Sequence, residues 1–320
     1  MKTILLTPSD DIQTAINGLE GGATVYLSAG IYRQKTEIRA DNVKIIGEDR
    51  EKTIITFDDY AKKTHADGRE YNTFRTYTLC ISGNNVSLEN LTVENSAKDP
   101  VTQGQCVALS VHGKLFRAKN VTLKSTQDTL FLAPFPDDLI IRYSGLTDDE
   151  TYYDGFIPRN QLYCEGGCLH FFEDCTICGT VDYVFGCAEA YFTRCKFLSL
   201  DDGRSNGFVA APAHSLKQTR GFCFIDCEFL SGGAKEQSVY LARAWRDFGK
   251  CEFINCTVGK CINPALFDRW NDTYRNKTAR FSFFGLRGGL APVSWAKALG
   301  KDEADEIINY FNMKFKENMR

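Results

Sequence analysis

The sequence predicts an all-β chain wound as a parallel β-helix, and three observations carry that prediction. A motif of apolar, any, polar, apolar or cysteine, any, apolar recurs as Leu88-Asn90-Leu91-Val93, Ala118-Asn120-Val121-Leu123, Phe172-Asp174-Cys175-Ile177, Phe192-Arg194-Cys195-Phe197, Phe224-Asp226-Cys227-Phe229 and Phe253-Asn255-Cys256-Val258. Its first positions are separated by 30, 54, 20, 32 and 29 residues, spacings that suit the coils of a solenoid with loops of variable length. The fourth position then stacks from coil to coil, which gives Cys175, Cys195, Cys227 and Cys256 a shared role as an interior ladder. An antiparallel β-sandwich is the alternative, and it gives no reason for a motif recurring at these spacings.

The elements follow in order. Ser9 reads as the N-cap of an amphipathic helix over Asp10 to Leu19, with Ile12, Ala15, Ile16 and Leu19 on one face and Gly21-Gly22 as the stop. Thr24 to Leu27 and Val43 to Ile46 read as strands, after which the motif takes over. The longest gap, 54 residues, holds an inserted segment over residues 134–159, rich in acids and aromatics. Such an insertion projects from one face of a solenoid, often the binding face. Residues 293–319 form a C-terminal helical region that starts at Asp302-Glu303 and places Ile307, Ile308, Phe311 and Phe315 at helical spacing. The expectation is one domain over residues 1–320, with the last helix covering solenoid core or the final coil.

Composition narrows the function. The 320 residues are 43% hydrophobic, and 38 Lys+Arg against 41 Asp+Glu give a net charge of −3 with no block of like charge. A nucleic-acid or membrane surface is therefore not expected, and no apolar run approaches a span. The N-terminal residues lack a signal-peptide core, so a cytoplasmic location is expected. An odd set of 13 cysteines argues against a disulfide framework. Cys175-x-x-Cys178, with Cys164, Cys168 and Cys187 nearby, lacks the second pair that structural zinc requires.

The chemistry concentrates in three stretches. Asp182 lies among apolar strand formers in Thr180-Val181-Asp182-Tyr183-Val184-Phe185-Gly186, where an ionised carboxylate needs a partner. A second acid, Asp128, follows Gln127, and a cation, Arg243, stands in Leu241-Ala242-Arg243-Ala244-Trp245. Gln105 precedes Gln127 by 22 residues, one coil, so the two amides can share a face. Two carboxylates, two amides and a cation suffice for acyl transfer from an ester: one carboxylate attacks, the other protonates the leaving alcohol, and the amides hold the oxyanion. Arg243 on Asp182 favours the ionised nucleophile, while Asp128, facing that charge, is pushed toward the protonated form and is the better acid. Trp245 offers a flat surface for a sugar ring, and Cys106, one residue from Gln105 on an alternating strand, turns into the core.

These stretches resemble the pectin methylesterase (pectinesterase) family. GIYRQ, GQCVAL, QDTLF, VDYVFG and LARAW occur in the family's order along nearly the whole chain, and Gly207 to Pro212 and Pro292 to Lys297 are similar to bacterial members. The resemblance implies a right-handed parallel β-helix, a pectin-lyase-like solenoid, with an aspartate nucleophile and neither metal nor cofactor. It implies Asp182 as nucleophile, Asp128 as acid/base, Gln105 and Gln127 as oxyanion and positioning amides, Arg243 as the partner of Asp182, and Phe185 and Trp245 as part of the sugar cleft. The substrate it implies is methyl-esterified galacturonan or oligogalacturonides, acted on by a monomer. Three features depart from the family pattern: LARAW for LGRPW, Gln34 closing GxYxE, and the length of the 134–159 segment, which narrows the cleft in favour of short oligomers.

Other functions fit these residues less well. Gly203-Arg204-Ser205-Asn206-Gly207 matches G-x-S-x-G, but the segment after it is not a helix, as a serine nucleophile there requires. A glycosidase or lyase on the same fold would need carboxylates flanking the glycosidic bond or a calcium cluster. A non-catalytic sugar-binding β-helix would keep Trp245 and have no use for both Asp128 and Asp182. His65, His112, His170 and His214 form no ligand spacing and read as structural or exposed.

Overall fold

The computed structural model describes residues 2–19, 21–66, 68–144, 167–271 and 273–318. The chain winds through three parallel sheets in turn, an 11-stranded first sheet and two 8-stranded sheets. The strands of the second coil, Ala23–Leu27, Gly30–Arg33 and Thr36–Ile38, already fall one in each sheet, and the sequence reading saw only the first of them. Every neighbouring pair in the three sheets is parallel, so each strand is hydrogen-bonded to its counterparts in the coils above and below.

The recurring motif is a corner rather than a strand. Its first residue ends the core-facing part of a first-sheet strand, and its last lies in a second-sheet strand: Val86–Glu89 then Thr92–Asn95, Leu115–Lys119 then Thr122–Lys124, Leu169–Glu173 then Thr176–Gly179. The polar third position turns the chain. Asn90, Asn120, Asp174, Arg194, Asp226 and Asn255 all have φ between 52° and 55°, the left-handed region that Asn and Asp tolerate best after glycine. Arg194, without that tolerance, is tied to Glu173 at 2.9 Å and to Asp174 at 3.0 Å.

The stacking expected from the spacings holds to the residue. Leu88 pairs with Ala118, Ala118 with Phe172, Phe172 with Phe192, Phe192 with Phe224 and Phe224 with Phe253. The four phenylalanine rings lie 4.7, 4.9 and 4.7 Å apart, near parallel; such contacts add about 0.5–1.5 kcal/mol each beyond area burial. The cysteines form the expected ladder inside the corner. Cys195, Cys227 and Cys256 each direct Sγ to the carbonyl of the phenylalanine one coil earlier, at 3.4, 3.3 and 3.4 Å. Cys168 departs from the expectation of free thiols, being disulfide-bonded.

Two helices cover the solenoid, one at its N-terminal end and one along a face. The first, Ile12–Ile16, is shorter than expected, and its cap is Asp11 rather than Ser9: the Asp11 carboxylate accepts from Thr14 N at 2.6 Å. Ile12 and Ile16 are buried over the first coils. Gln34, the departure from GxYxE, holds this helix in place, accepting from Ile12 N at 2.8 Å and donating to the Asp10 carbonyl at 2.7 Å. The last helix, Lys301–Asn318, packs Ala304, Ile307 and Phe311 on Phe171, Tyr191, Cys223, Ile225 and Ile254. It therefore lies along the outer face of the first sheet across successive strands, and not over the last coil alone.

Residues 134–159 are described only in part. Helix Asp137–Ser144 occupies its beginning, directly after the third-sheet strand Leu130–Leu132; residues 145–159 lie outside the described residues. Among the described residues no helix is long and apolar enough to cross a membrane.

Candidate active site

The third sheet and the segments at its strand ends carry the site. Asp182 lies on strand Val181–Gly186, whose register with strand Gly207–Pro212 slips between Val181 and Val184, so that one extra residue is accommodated as a bulge. Asp182 takes φ 51° there, and Tyr183 turns inward to Ser199 Oγ at 2.9 Å. A bulge of this kind re-aims a side chain. The carboxylate that alternation alone would not place is thereby directed to the cleft, 7% exposed.

Arg243, the last residue of strand Val239–Arg243, meets both oxygens of Asp182: Nε to Oδ1 at 2.8 Å and Nη2 to Oδ2 at 2.6 Å. The Ala242 and Ala244 that replace glycine and proline in LARAW leave this fork intact. The guanidinium is clamped between two rings, 3.8 Å from the Phe208 centroid and 3.9 Å from that of Trp270. A planar cation between two aromatic faces loses little hydration it would otherwise need, and its fork is held in one orientation.

Asp128 is buried beside this pair, and its backbone N donates to the Val181 carbonyl at 3.0 Å. Burial raises its pKa well above the ordinary carboxylate value, and the Asp182 charge adds to the rise; Arg243, a hydrogen bond from Gln127 and the Arg204 charge act the other way without cancelling it. Gln105 and Gln127 are neighbours across one coil, with Cys106 N donating to the Gln127 carbonyl at 3.1 Å. Cys106 itself is buried, its Sγ 2.8 Å from Thr126 Oγ1.

All seven residues singled out in the sequence line one open cavity of about 410 Å³: Gln105, Gln127, Asp128, Asp182, Phe185, Arg243 and Trp245. Phe185 serves as floor more than platform, only 3% exposed and packed on Phe131 at 5.0 Å and edge-on to Trp245 at 5.8 Å. Trp245 is partly exposed and carries the Arg246 guanidinium 4.7 Å from its centroid. Arg246 in turn makes a two-pronged bond to Asp138, both contacts 2.8 Å, which ties helix Asp137–Ser144 of the inserted segment to the cleft wall.

Sequence reasoning missed four contributors. Trp270 follows from no motif, and Phe208, although it lies in the family-like stretch Gly207 to Pro212, was given no role there; both hold an arginine from different coils. Arg246 was legible only as a neighbour of Trp245. In Gly203-Arg204-Ser205-Asn206-Gly207 the G-x-S-x-G pattern points to Ser205, which is exposed and followed by strand Gly207–Pro212; the residue that reaches the site is the arginine, through Nη1 to Gln127 Oε1 at 2.9 Å.

Fold and site together define a β-helical hydrolase with a pair of unequal aspartates in an open cleft. The chain belongs to the pectinesterase family, whose model matches residues 5–134 and 155–315 and so passes over most of the inserted segment. Among curated proteins it is 27% identical over 294 residues to pectinesterase QRT1 of Arabidopsis thaliana, covering 89% of this chain and 67% of that one, and 26% identical over 314 residues to pectinesterase 31 of the same plant, covering 93% and 86%. Among solved structures, pectin methylesterase PemA from Erwinia chrysanthemi superposes with a TM-score of 0.76 at 21% identity, covering 96% and 95% of the two chains. The carrot pectin methylesterase gives 0.75 at 20%, covering 94% and 89%. These likenesses carry the fold, a right-handed parallel β-helix.

Proposed function

We propose that the cleft hydrolyses methyl esters of galacturonan to free carboxylate and methanol, with Asp182 as nucleophile and Asp128 as acid and then base. One observation supports this assignment above the others: two carboxylates share a cleft, yet one is forked by a clamped arginine while the other is buried with a raised pKa. Such a pair divides nucleophile from proton donor. An Asp182 oxygen attacks the ester carbonyl and the C–OCH₃ bond breaks as Asp128 protonates the departing methoxide. Water, deprotonated by Asp128, then attacks the acyl-aspartate and restores Asp182. The amides of Gln105 and Gln127 receive the oxyanion formed in each step.

The substrate within this class is a short oligogalacturonide. A pectin methylesterase of the same fold has been seen in complex with a hexasaccharide. In this chain, the Asp138–Arg246 contact brings the inserted helix to the Trp245 wall and narrows that side of the cleft. The test is methanol release and reducing-end formation from methylated trimers to hexamers and from long methylated pectin, by the wild type and by Asp182→Asn. Methanol without new reducing ends, abolished in the variant, supports the esterase. New reducing ends would instead mean chain cleavage, and faster turnover per site on polymer would remove the oligomer preference.

A further inference from the structure

Gln127 poses a geometric problem. A primary amide has an acceptor end and a donor end that exchange by a simple flip, and only the donor end serves a developing oxyanion. In this chain both ends are engaged, the donor end by Asp128 and the acceptor end by Arg204. Arg204 Nη1 donates to Gln127 Oε1 at 2.9 Å across 77 residues of sequence.

Arg204 is itself held from three directions. Its Nε and Nη2 both donate to Asp202 Oδ2, the first at 2.9 Å, and its backbone N donates to Asp202 Oδ1 at 3.0 Å. Nη2 also donates to Thr180 Oγ1 at 3.2 Å, and Thr180 stands directly before the strand that carries Asp182. The Asp202 side chain is 7% exposed and that of Arg204 34%, so the carboxylate forms the fixed base and the guanidinium reaches from it toward the cleft. A flipped Gln127 would set its N–H groups against those of Arg204 and its oxygen against the oxyanion, two repulsions in place of two bonds.

We propose that Arg204, braced by Asp202 and Thr180, is a positioning residue that locks Gln127 with its N–H groups toward the ester carbonyl and polarises the amide as charge develops. This rests on the esterase reading of the cleft. The reading assigns the amide a role; the inference assigns the group that fixes its orientation, and places it in the loop Gly203–Gly207 that otherwise has no part in the chemistry.

A second consequence separates positioning from loop bracing. Asp128 faces Asp182 and Arg243 from neighbouring strands, Arg204 from its loop, and Arg142 and Arg246 across the same cavity. The Arg204 charge works against the burial that raises the Asp128 pKa, so its removal moves the alkaline limb of activity upward in pH. A residue that merely fastened a loop would leave that limb in place.

The experiment measures methanol release against pH for the full chain and for Arg204→Gln, Arg204→Lys, Gln127→Ala and the Arg204→Gln/Gln127→Ala double variant, with melting curves to establish folding. Arg204→Gln is expected to lower kcat about 10- to 100-fold, the scale of one misplaced oxyanion donor, with KM changed less than about twofold. Its alkaline limb moves up, Arg204→Lys keeps the limb near the wild-type position and regains part of kcat, and the double variant loses little more than Gln127→Ala alone. Should Arg204→Gln not fold, Asp202→Asn removes the brace and reads the same kcat loss. Unchanged kcat and pH limb in a folded Arg204→Gln, or full additivity with Gln127→Ala, overturns the inference; absence of methanol from the wild type overturns the esterase reading instead.

Discussion

Asp128 and Asp182 occupy equivalent places in successive coils: each stands two residues before the paired Leu130 and Val184, and each has positive φ, 63° and 51°. The solenoid thus makes a carboxylate pair by repeating one position, and it makes the two unequal by placing Arg243 on one of them. Aspartate at these φ values is strained by less than most residues would be, and the remaining cost is typical of functional sites.

The raised pKa of Asp128 gives a stability signature. Its folded pKa is raised, so its contribution to stability is fully present below its unfolded value and is lost as pH rises through the folded one. Asp128→Asn removes that loss. The variant is expected to be inactive in methanol release and, in melts at pH 8, more stable than the wild type; equal stability from pH 4 to pH 9 would argue against a buried acid.

Arg243 combines a fork with a double ring clamp, and lysine supplies neither. Arg243→Lys is expected to reduce kcat at least 100-fold, and Arg243→Met to destabilise the fold by about 3 kcal/mol because a buried carboxylate is left unpaired. Urea unfolding and initial rates measure the two effects separately. Phe208→Leu, which removes one face of the clamp and leaves the fork, should fall between wild type and Arg243→Lys.

The Asp138–Arg246 contact is half-exposed, 49% and 31% at the side chains, so breaking it should change stability by less than about 1 kcal/mol. Its effect is expected on substrate choice. Asp138→Asn should raise KM for methylated trimers and improve the relative rate on long pectin, with kcat on the trimer within about threefold of wild type; matched KM values across chain lengths would remove the latch from the account of specificity.

Two buried histidines set the acid limit of the fold. Burial lowers the pKa of His170 to about 4 and that of His214 to about 3. For a lowered histidine, stability is fully present above the unfolded value of 6.5 and is lost as pH falls toward the folded one. His214 is locked as the neutral form, Nε2 donating to the Ala188 carbonyl at 2.9 Å and Nδ1 accepting from Lys250 N at 3.2 Å. His170→Gln is expected to flatten the fall in melting temperature between pH 6.5 and pH 4 relative to wild type.

The coils and the seven cleft residues were legible because a solenoid writes its geometry into sequence spacing: Phe172, Phe192, Phe224 and Phe253 stack where counting placed them. The corner was partly legible, since Asn or Asp at a fixed place is a signal for left-handed backbone, although period-2 alternation favoured reading the motif as strand. Arg204, Phe208 and Trp270 were not legible. They act on Gln127 and Arg243 from other coils, and a contact that joins irregular segments leaves no period to count. The first helix was misplaced for a local reason, because Ser9, Asp10 and Asp11 are all good caps and only the docking of Gln34 selects Asp11.

The corner between the first and second sheets is two residues wide in each of the six coils that carry the motif. That edge has no slack in these coils: one added residue would turn the side chains of the second-sheet strand that follows to the wrong faces. In these six coils the freedom in length lies at the other two edges, where the third sheet is entered and left, whereas the earlier coil of Val43–Gly47 and Thr53–Phe57 takes five residues at the same corner. Those edges hold Gln105, Gln127, Arg204, Trp245 and the inserted helix, so length added to these coils falls beside the cleft and is converted into a change of its shape.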